Sequence, residues 1–352
     1  MAKHFDDWQV KRDLSQGGQA WTYLVTKAEG NADELFVLKR LIRKTDWSRI
    51  KRFQQEIDMG MRLDHPNILK VVAHNIDHEH PYLVTEYCAG GSLADLTILD
   101  YTDAERLKLF LSMSRGVGHA HSRGVIHRDL KPANIFLLAD LKTPVVGDFG
   151  LCLLSGQEER LTEVNEAVGA RWYMAPELED GLNVDVNSSA DVYSLGKILY
   201  WMFAGKIFSR ERHRIPQYDL TNVRKDSTIH LIYDLLDGMI VTEPTDRRFR
   251  NGDEVSEAVE NMIRRAEMNA HHIDISVPQV CSYCGIGFYQ KIVDESPETN
   301  RTGEYPELAR FGLRGLQRSS WLIFACDYCG NIQLFRRDYA KDKNIWRENK
   351  RT

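Results

Sequence analysis

Two short strings hold the residue types that phosphoryl transfer needs, in a usable order. The first is His127-Arg128-Asp129-Leu130-Lys131-Pro132-Ala133-Asn134, and the second is Asp148-Phe149-Gly150. Transfer of a phosphoryl group asks a protein for little covalent work. It asks for cations that neutralise the phosphate oxygens and a carboxylate that orients the accepting hydroxyl. Asp129 is the candidate base, and Lys131 is a cation beside it. Asn134 and Asp148 offer the oxygen donors that magnesium prefers. Each residue alone reads as a solvated surface group. Their joint spacing carries the argument.

A second constellation lies near the C-terminus. Cys281-Ser282-Tyr283-Cys284-Gly285 and Cys326-Asp327-Tyr328-Cys329-Gly330 form a matched pair of knuckles. In each, thiolates two residues apart precede a glycine that permits a tight turn around a metal. Cys281, Cys284, Cys326 and Cys329 would close a four-sulfur site for zinc, although iron takes the same ligands. The long intervening segment costs little, because loop closure grows slowly with length. Arg310, Arg314 and Arg318 recur every four residues between the knuckles, and Arg336, Arg337, Lys341 and Lys343 follow the second. They suit an acidic protein or nucleic-acid partner, or simply form a solvated face.

These groups need a scaffold. Short β-patterned runs come first, over 8–14, 20–27 and 35–41, followed by an amphipathic helix over 48–63. Strand runs over 68–75 and 82–86 complete a small sheet. Helical patterns then dominate, over 103–122, 189–204, 228–240 and 252–266. The expected fold class is α+β. In the cysteine-bearing region, runs over 286–289, 321–325 and 332–335 read as hairpin strands.

Bulk properties narrow the class. The chain has 352 residues, 43% hydrophobic and 28% charged, as expected of a soluble globular protein. A net charge of -5 argues against nucleic-acid binding by the whole chain. No apolar signal segment or bilayer-length apolar run is visible, so the expected location is cytoplasmic with no membrane partner. Six cysteines, four of them in metal-ligand spacing, do not read as a disulfide framework, and Cys88 and Cys152 stand alone.

The two strings together resemble those of eukaryotic-type (Hanks-type) serine/threonine protein kinases, from about residue 8 to residue 266. The resemblance implies a two-lobed fold, here followed by a small β-rich zinc ribbon. Its domains would be the catalytic domain 8–266, a linker 267–276, the zinc module 277–340 and a basic polar tail 341–352. It implies ATP and Mg2+ as cofactors, with Zn2+ in the ribbon, and a protein as substrate. Lys39, in Val37-Leu38-Lys39, resembles the lysine that holds the α- and β-phosphates, with Glu56 as its ion-pair partner. Asp129 then accepts the substrate proton, Lys131 reaches the γ-phosphate, and Asn134 and Asp148 hold magnesium. Ser15, Gly17 and Ala20 stand at the glycine-loop positions, and the adenine would lie near Glu86 and Cys88, behind Thr85. Glu177 is expected to pair with Arg247, and Asp191 to anchor the catalytic loop. Arg128 implies an activation segment with a balancing negative charge, for which Glu166 and a phosphorylated Thr162 are the candidates.

The chain departs from the pattern in three places. Ser15 and Ala20 replace loop glycines, and Ala170 stands where a threonine usually touches the catalytic aspartate and lysine. Gly60, four residues after Glu56, replaces a large apolar side chain that stacks on the phenylalanine of Asp-Phe-Gly. A rival reading therefore makes the chain a nucleotide-binding pseudokinase or scaffold whose zinc module recruits a partner.

Overall fold

The computed structural model describes residues 4–16, 20–31, 33–42, 47–154, 170–179, 186–222, 228–270, 279–280, 288–291, 321–326 and 332–336. The chain divides into two compact units, residues 1–260 and 261–352.

The first unit opens with a six-stranded antiparallel sheet. Its strands are β1 (His4–Phe5), β2 (Trp8–Gln16), β3 (Ala20–Lys27), β4 (Phe36–Leu41), β5 (Val71–Asn75) and β6 (Tyr82–Glu86), in the order β1-β2-β3-β4-β6-β5. One face buries Phe5, Trp8, Tyr23, Val25, Leu38, Tyr82 and Val84 together. The two-residue β1 has no periodic signal and forms because Phe5 joins that aromatic core. Helix α1 (Trp47–Arg62) covers the sheet through Phe53 and Ile57, which pack with Leu41 and Leu83. The expected strand over 68–75 begins only at Val71. Residues 67–69 bond elsewhere, because Leu69 N–H donates to the Val146 carbonyl and Val146 N–H to the Asn67 carbonyl.

A mainly helical region follows. Helix α2 (Asp103–Ser122) starts at a capping box in which Thr102 Oγ1 accepts from Glu105 N–H and Glu105 returns to the Thr102 N–H. Strand β7 (Val125–Ile126) leads to the hairpin β8 (Ile135–Leu137) and β9 (Pro144–Val146), and β10 (Leu153–Leu154) pairs back onto β7. Beyond a short α3 (Pro176–Glu179), helix α4 (Ser189–Ala204) runs through the core, with almost every residue buried. Gly205 ends it in the left-handed conformation, φ 66°. Helix α5 (Thr228–Met239) packs on α4. Helix α6 (Gly252–Ala270) continues past the expected boundary at 266.

The second unit contains a four-stranded antiparallel sheet, β11 (Gln279–Val280), β12 (Phe288–Lys291), β13 (Trp321–Cys326) and β14 (Ile332–Arg336), in sequential order. Val280 pairs with Phe288, Tyr289 with Cys326, and Ala325 with Ile332. The end of β11, the start of β12, the end of β13 and the start of β14 therefore share one end of the sheet. Among the described residues no helix is long and apolar enough to cross a membrane.

Candidate active site

The sheet register collects the upstream groups. Ser15 lies opposite Thr22, Thr22 opposite Lys39, and Lys39 opposite Leu83, so one rung of four strands runs beneath the β2–β3 hairpin. Ala20 opens β3 and is buried opposite Leu41. Gly17 lies outside the described residues. Lys39 Nζ meets both Glu56 oxygens, at 2.7 and 2.8 Å, and stands 3.6 Å from Asp148 Oδ1. Burial opposes the ammonium charge, but the carboxylates of Asp148 and Glu56 outweigh it and hold Lys39 above its ordinary value. Asp148 is held below the usual carboxylate range, first by Lys39 and against its burial, then by His127 and Lys131. Glu56 is pushed above the usual carboxylate range, first by burial and also by the Asp148 charge, with Lys39 opposing.

Downstream, the catalytic loop is fixed from beneath. The buried Asp191 accepts from the His127 and Arg128 N–H groups at 2.7 and 2.8 Å. Its Oδ2 also meets His121 Nε2 at 2.8 Å, and His121 Nδ1 accepts from Gly252 N–H at 3.0 Å. Arg128 and Asp148 both adopt left-handed backbone, φ 68° and 63°, which is strained for side chains of this kind. Lys131 Nζ lies 2.9 and 2.8 Å from the two Asp129 oxygens. Asn134 Nδ2 donates to the Asp129 carbonyl and to Asp129 Oδ2, both at 2.8 Å. The amide donor thereby faces Asp129, and its oxygen faces the other way. One base candidate with an adjacent lysine, and two oxygen donors, suit an acceptor hydroxyl beside a magnesium-bound phosphate.

Sequence reasoning missed three participants. Gln55 Nε2 donates to the Cys152 carbonyl at 2.5 Å, tying α1 to the segment that follows Asp148-Phe149-Gly150. His121 braces Asp191. Val71 packs on Gly60, where an added Cβ would lie 2.3 Å from Val71 Cγ2. Only their nearness to the motifs marked the first two in sequence, and nothing marked the third.

The expected loss of packing around Phe149 is not found. Phe149 is only 4% exposed and its ring lies 4.7 Å from that of His127. Met61 is exposed and Met59 is buried, so of the two only Met59 is placed to fill interior space. Thr85 is buried on β6, and Glu86 Oε1 accepts from Lys70 N–H. Cys88 is buried, and burial with help from Glu86 pushes its thiol up to about 12. Cys152 behaves alike, at about 12, chiefly through burial. Arg247 reaches Glu177 through both terminal nitrogens.

Thr162 and Glu166 lie outside the described residues, as do Cys281, Cys284 and Cys329. Cys326 is the last residue of β13. Among the described residues no cluster of three or more His, Cys, Asp or Glu side chains is arranged to hold a metal.

Comparison with known proteins follows the same lines. The family model described as the protein kinase domain matches residues 8–281. Calcium-dependent protein kinase 10 of Arabidopsis thaliana is 34% identical over 208 residues, 57% of this chain and 36% of that protein. The DNA damage-responsive serine/threonine-protein kinase RqkA of Deinococcus radiodurans is 33% identical over 198 residues, 54% of this chain and 29% of that protein. Serine/threonine-protein kinase Aurora-2 of Arabidopsis thaliana is 28% identical over 253 residues, 68% of this chain and 86% of that protein. The chain thus spans about a third of the length of the first two relatives.

Proposed function

The chain belongs to the protein kinase domain family, and from that premise we propose that it is an ATP- and magnesium-dependent kinase acting on serine and threonine hydroxyls of proteins. The observation that carries this reading is the intact pairing of Lys39 with Glu56 alongside the Asp129–Lys131–Asn134 cluster. Asp129 orients the acceptor hydroxyl and takes its proton. Lys39 and Lys131 lower the charge on phosphate oxygens, and Glu56 holds Lys39 in place. Asn134 and Asp148 are oxygen donors of the kind magnesium accepts, and the cation when bound would neutralise phosphate charge. Lys131 and the serine/threonine relatives support the acceptor class. Adenine recognition falls to the backbone around Glu86 and Cys88, with Ser15, Gly17 and Ala20 above the phosphates.

The second unit is read as a zinc ribbon. Its support is the register, which puts the residues flanking both Cys-x-x-Cys segments at one end of the sheet. Four thiolates there would give zinc a closed structural site. A protein or nucleic-acid partner is the role proposed for this module. A cytoplasmic setting fits both the ATP requirement and thiolates kept reduced. For regulation, Glu166 supplies a built-in charge to Arg128, which phosphorylation of Thr162 strengthens. Comparing initial rates of Thr162→Ala, Glu166→Gln and the double variant checks this, and full basal rate in Glu166→Gln with none in Thr162→Ala refutes it.

The deciding experiment is transfer of labelled phosphate from ATP to a generic protein acceptor by the full chain. Transfer that disappears in Asp129→Asn is the expected result. Nucleotide binding without transfer would instead favour the pseudokinase.

A further inference from the structure

The departure at Gly60 has a partner. An ideal Cβ built at Gly60 would lie 2.3 Å from Val71 Cγ2 and 3.3 Å from Val71 Cβ. Carbon atoms rest at about 3.5–4.0 Å, so even a methyl group there would demand about 1 Å of retreat. Rotating the valine relieves only part of this, because its Cβ is itself close. Gly60 does not leave a hole in the small lobe. It is the point where the helix backbone touches the sheet.

We propose that Gly60 is a positioning residue: its missing side chain sets the approach of α1 to β5, and that spacing brings Glu56 within reach of Lys39. The proposal rests on the reading of Lys39 and Glu56 as parts of a kinase site. Gly60 lies four residues after Glu56, one turn along the same face of α1. Val71 pairs with Thr85, and Thr85 with Val37, which lies two residues before Lys39 on the same face of β4. One helix and one sheet therefore meet at two neighbouring points, sterically at Gly60 and electrostatically at Glu56.

The second contact is short. Lys39 Nζ and the Glu56 oxygens are 2.7 and 2.8 Å apart, and a hydrogen bond weakens beyond about 3.2 Å. A retreat of about 1 Å at Gly60, transmitted along one helical turn, is enough to part them. Neighbouring contacts would share the displacement. Gln55 holds the Cys152 carbonyl, and Phe53 and Ile57 pack on Leu41 and Leu83. A large apolar residue at position 60 should thus impair this chain.

The test uses Gly60→Leu, Gly60→Ala, Val71→Ala and the double variant Gly60→Ala with Val71→Ala, all in the full chain. Crystal structures read the Lys39–Glu56 separation, and kinetics read kcat and the KM for ATP. Gly60→Leu should part the pair and lower kcat/KM for ATP by about a hundredfold, the scale of a 1 Å misplacement. Gly60→Ala should fall between, and adding Val71→Ala should restore the wild-type separation and rate. A merely structural glycine would not be rescued in this way. An unchanged separation in Gly60→Leu, or a double variant no better than Gly60→Ala, overturns the proposal. Should Gly60→Leu fail to fold, the alanine pair decides. If the wild-type chain transfers no phosphate, the kinase reading fails while the measured separations still judge the spacing.

Discussion

Arg247 forks onto Glu177 out of reach of water. Nη1 meets Oε1 at 2.5 Å and Nη2 meets Oε2 at 2.7 Å, with the arginine side chain fully buried. Nε also donates to the Val241 carbonyl, and Nη1 to the Ser189 carbonyl. The pair ties α3 to the turn before α6 and to the start of α4.

Breaking that fork strands a buried charge. Glu177→Ala should cost about 3–5 kcal/mol of folding stability, since the guanidinium loses its counter-charge without regaining water. Arg247→Lys should not be benign, because an ammonium cannot reproduce the two parallel bonds. Urea unfolding of the two variants checks this. A loss below about 1 kcal/mol in Glu177→Ala would show the pair to be dispensable.

Removing charge from the site should slow transfer severely without unfolding the chain. Lys39→Met and Asp148→Ala each delete a member of the Lys39–Asp148–Glu56 cluster. Losing one preorganised charge of this sort typically lowers kcat by about a hundredfold to a thousandfold. Either variant turning over near the wild-type rate, with an unchanged circular dichroism spectrum, would remove that residue from the mechanism.

Mild acid should loosen the junction between α2 and the segment before β5. The His65 and His119 rings lie 4.9 Å apart. Burial lowers His65, then His119, Arg115 and Arg123 lower it further, while Asp253 opposes. Burial likewise lowers His119, with Arg123 adding and Asp64 and Asp253 opposing. A histidine depressed in the folded state takes its proton more readily when unfolded. Its contribution is therefore complete above about pH 6.5 and drains away as pH falls through that value. Unfolding free energy should decline from about pH 7.5 to about pH 5, and His119→Gln should flatten the decline. An identical slope in that variant would assign the effect elsewhere.

Purified protein should carry one zinc ion per chain. Cys326 ends β13 opposite Tyr289, beside the start of β12. Cys326→Ser should lose the metal and loosen the second unit, because the folding of small metal-bound modules is coupled to their metal. Elemental analysis and limited proteolysis read the two effects. Stoichiometric iron, or protein free of metal yet fully protease-resistant, would contradict the ribbon.

The sequence made local features legible. Helix α2 starts where Thr102 and Glu105 can cap it, and α4 stops where Gly205 supplies a left-handed residue. The residues of the catalytic loop are neighbours in sequence, so their grouping was visible before any fold. What escaped was whatever only folding brings together. The β1 strand exists because Phe5 finds Tyr23 and Tyr82. Gly60 looked like a missing side chain because Val71, eleven residues away, announces nothing in sequence. Three of the four cysteines in metal-ligand spacing and both activation-segment candidates lie outside the described residues, so for them the sequence reading stands alone.

The left-handed backbone at Arg128 and Asp148 carries a consequence for engineering. Each position holds about 1–3 kcal/mol of conformational cost that glycine would release. Asp148→Gly should therefore melt above Asp148→Ala, which deletes the same carboxylate but keeps the left-handed strain, while being as inactive. Directed evolution of this chain should thus read turnover alongside heat resistance, since a glycine at either position relieves backbone strain while removing the side chain that the site uses.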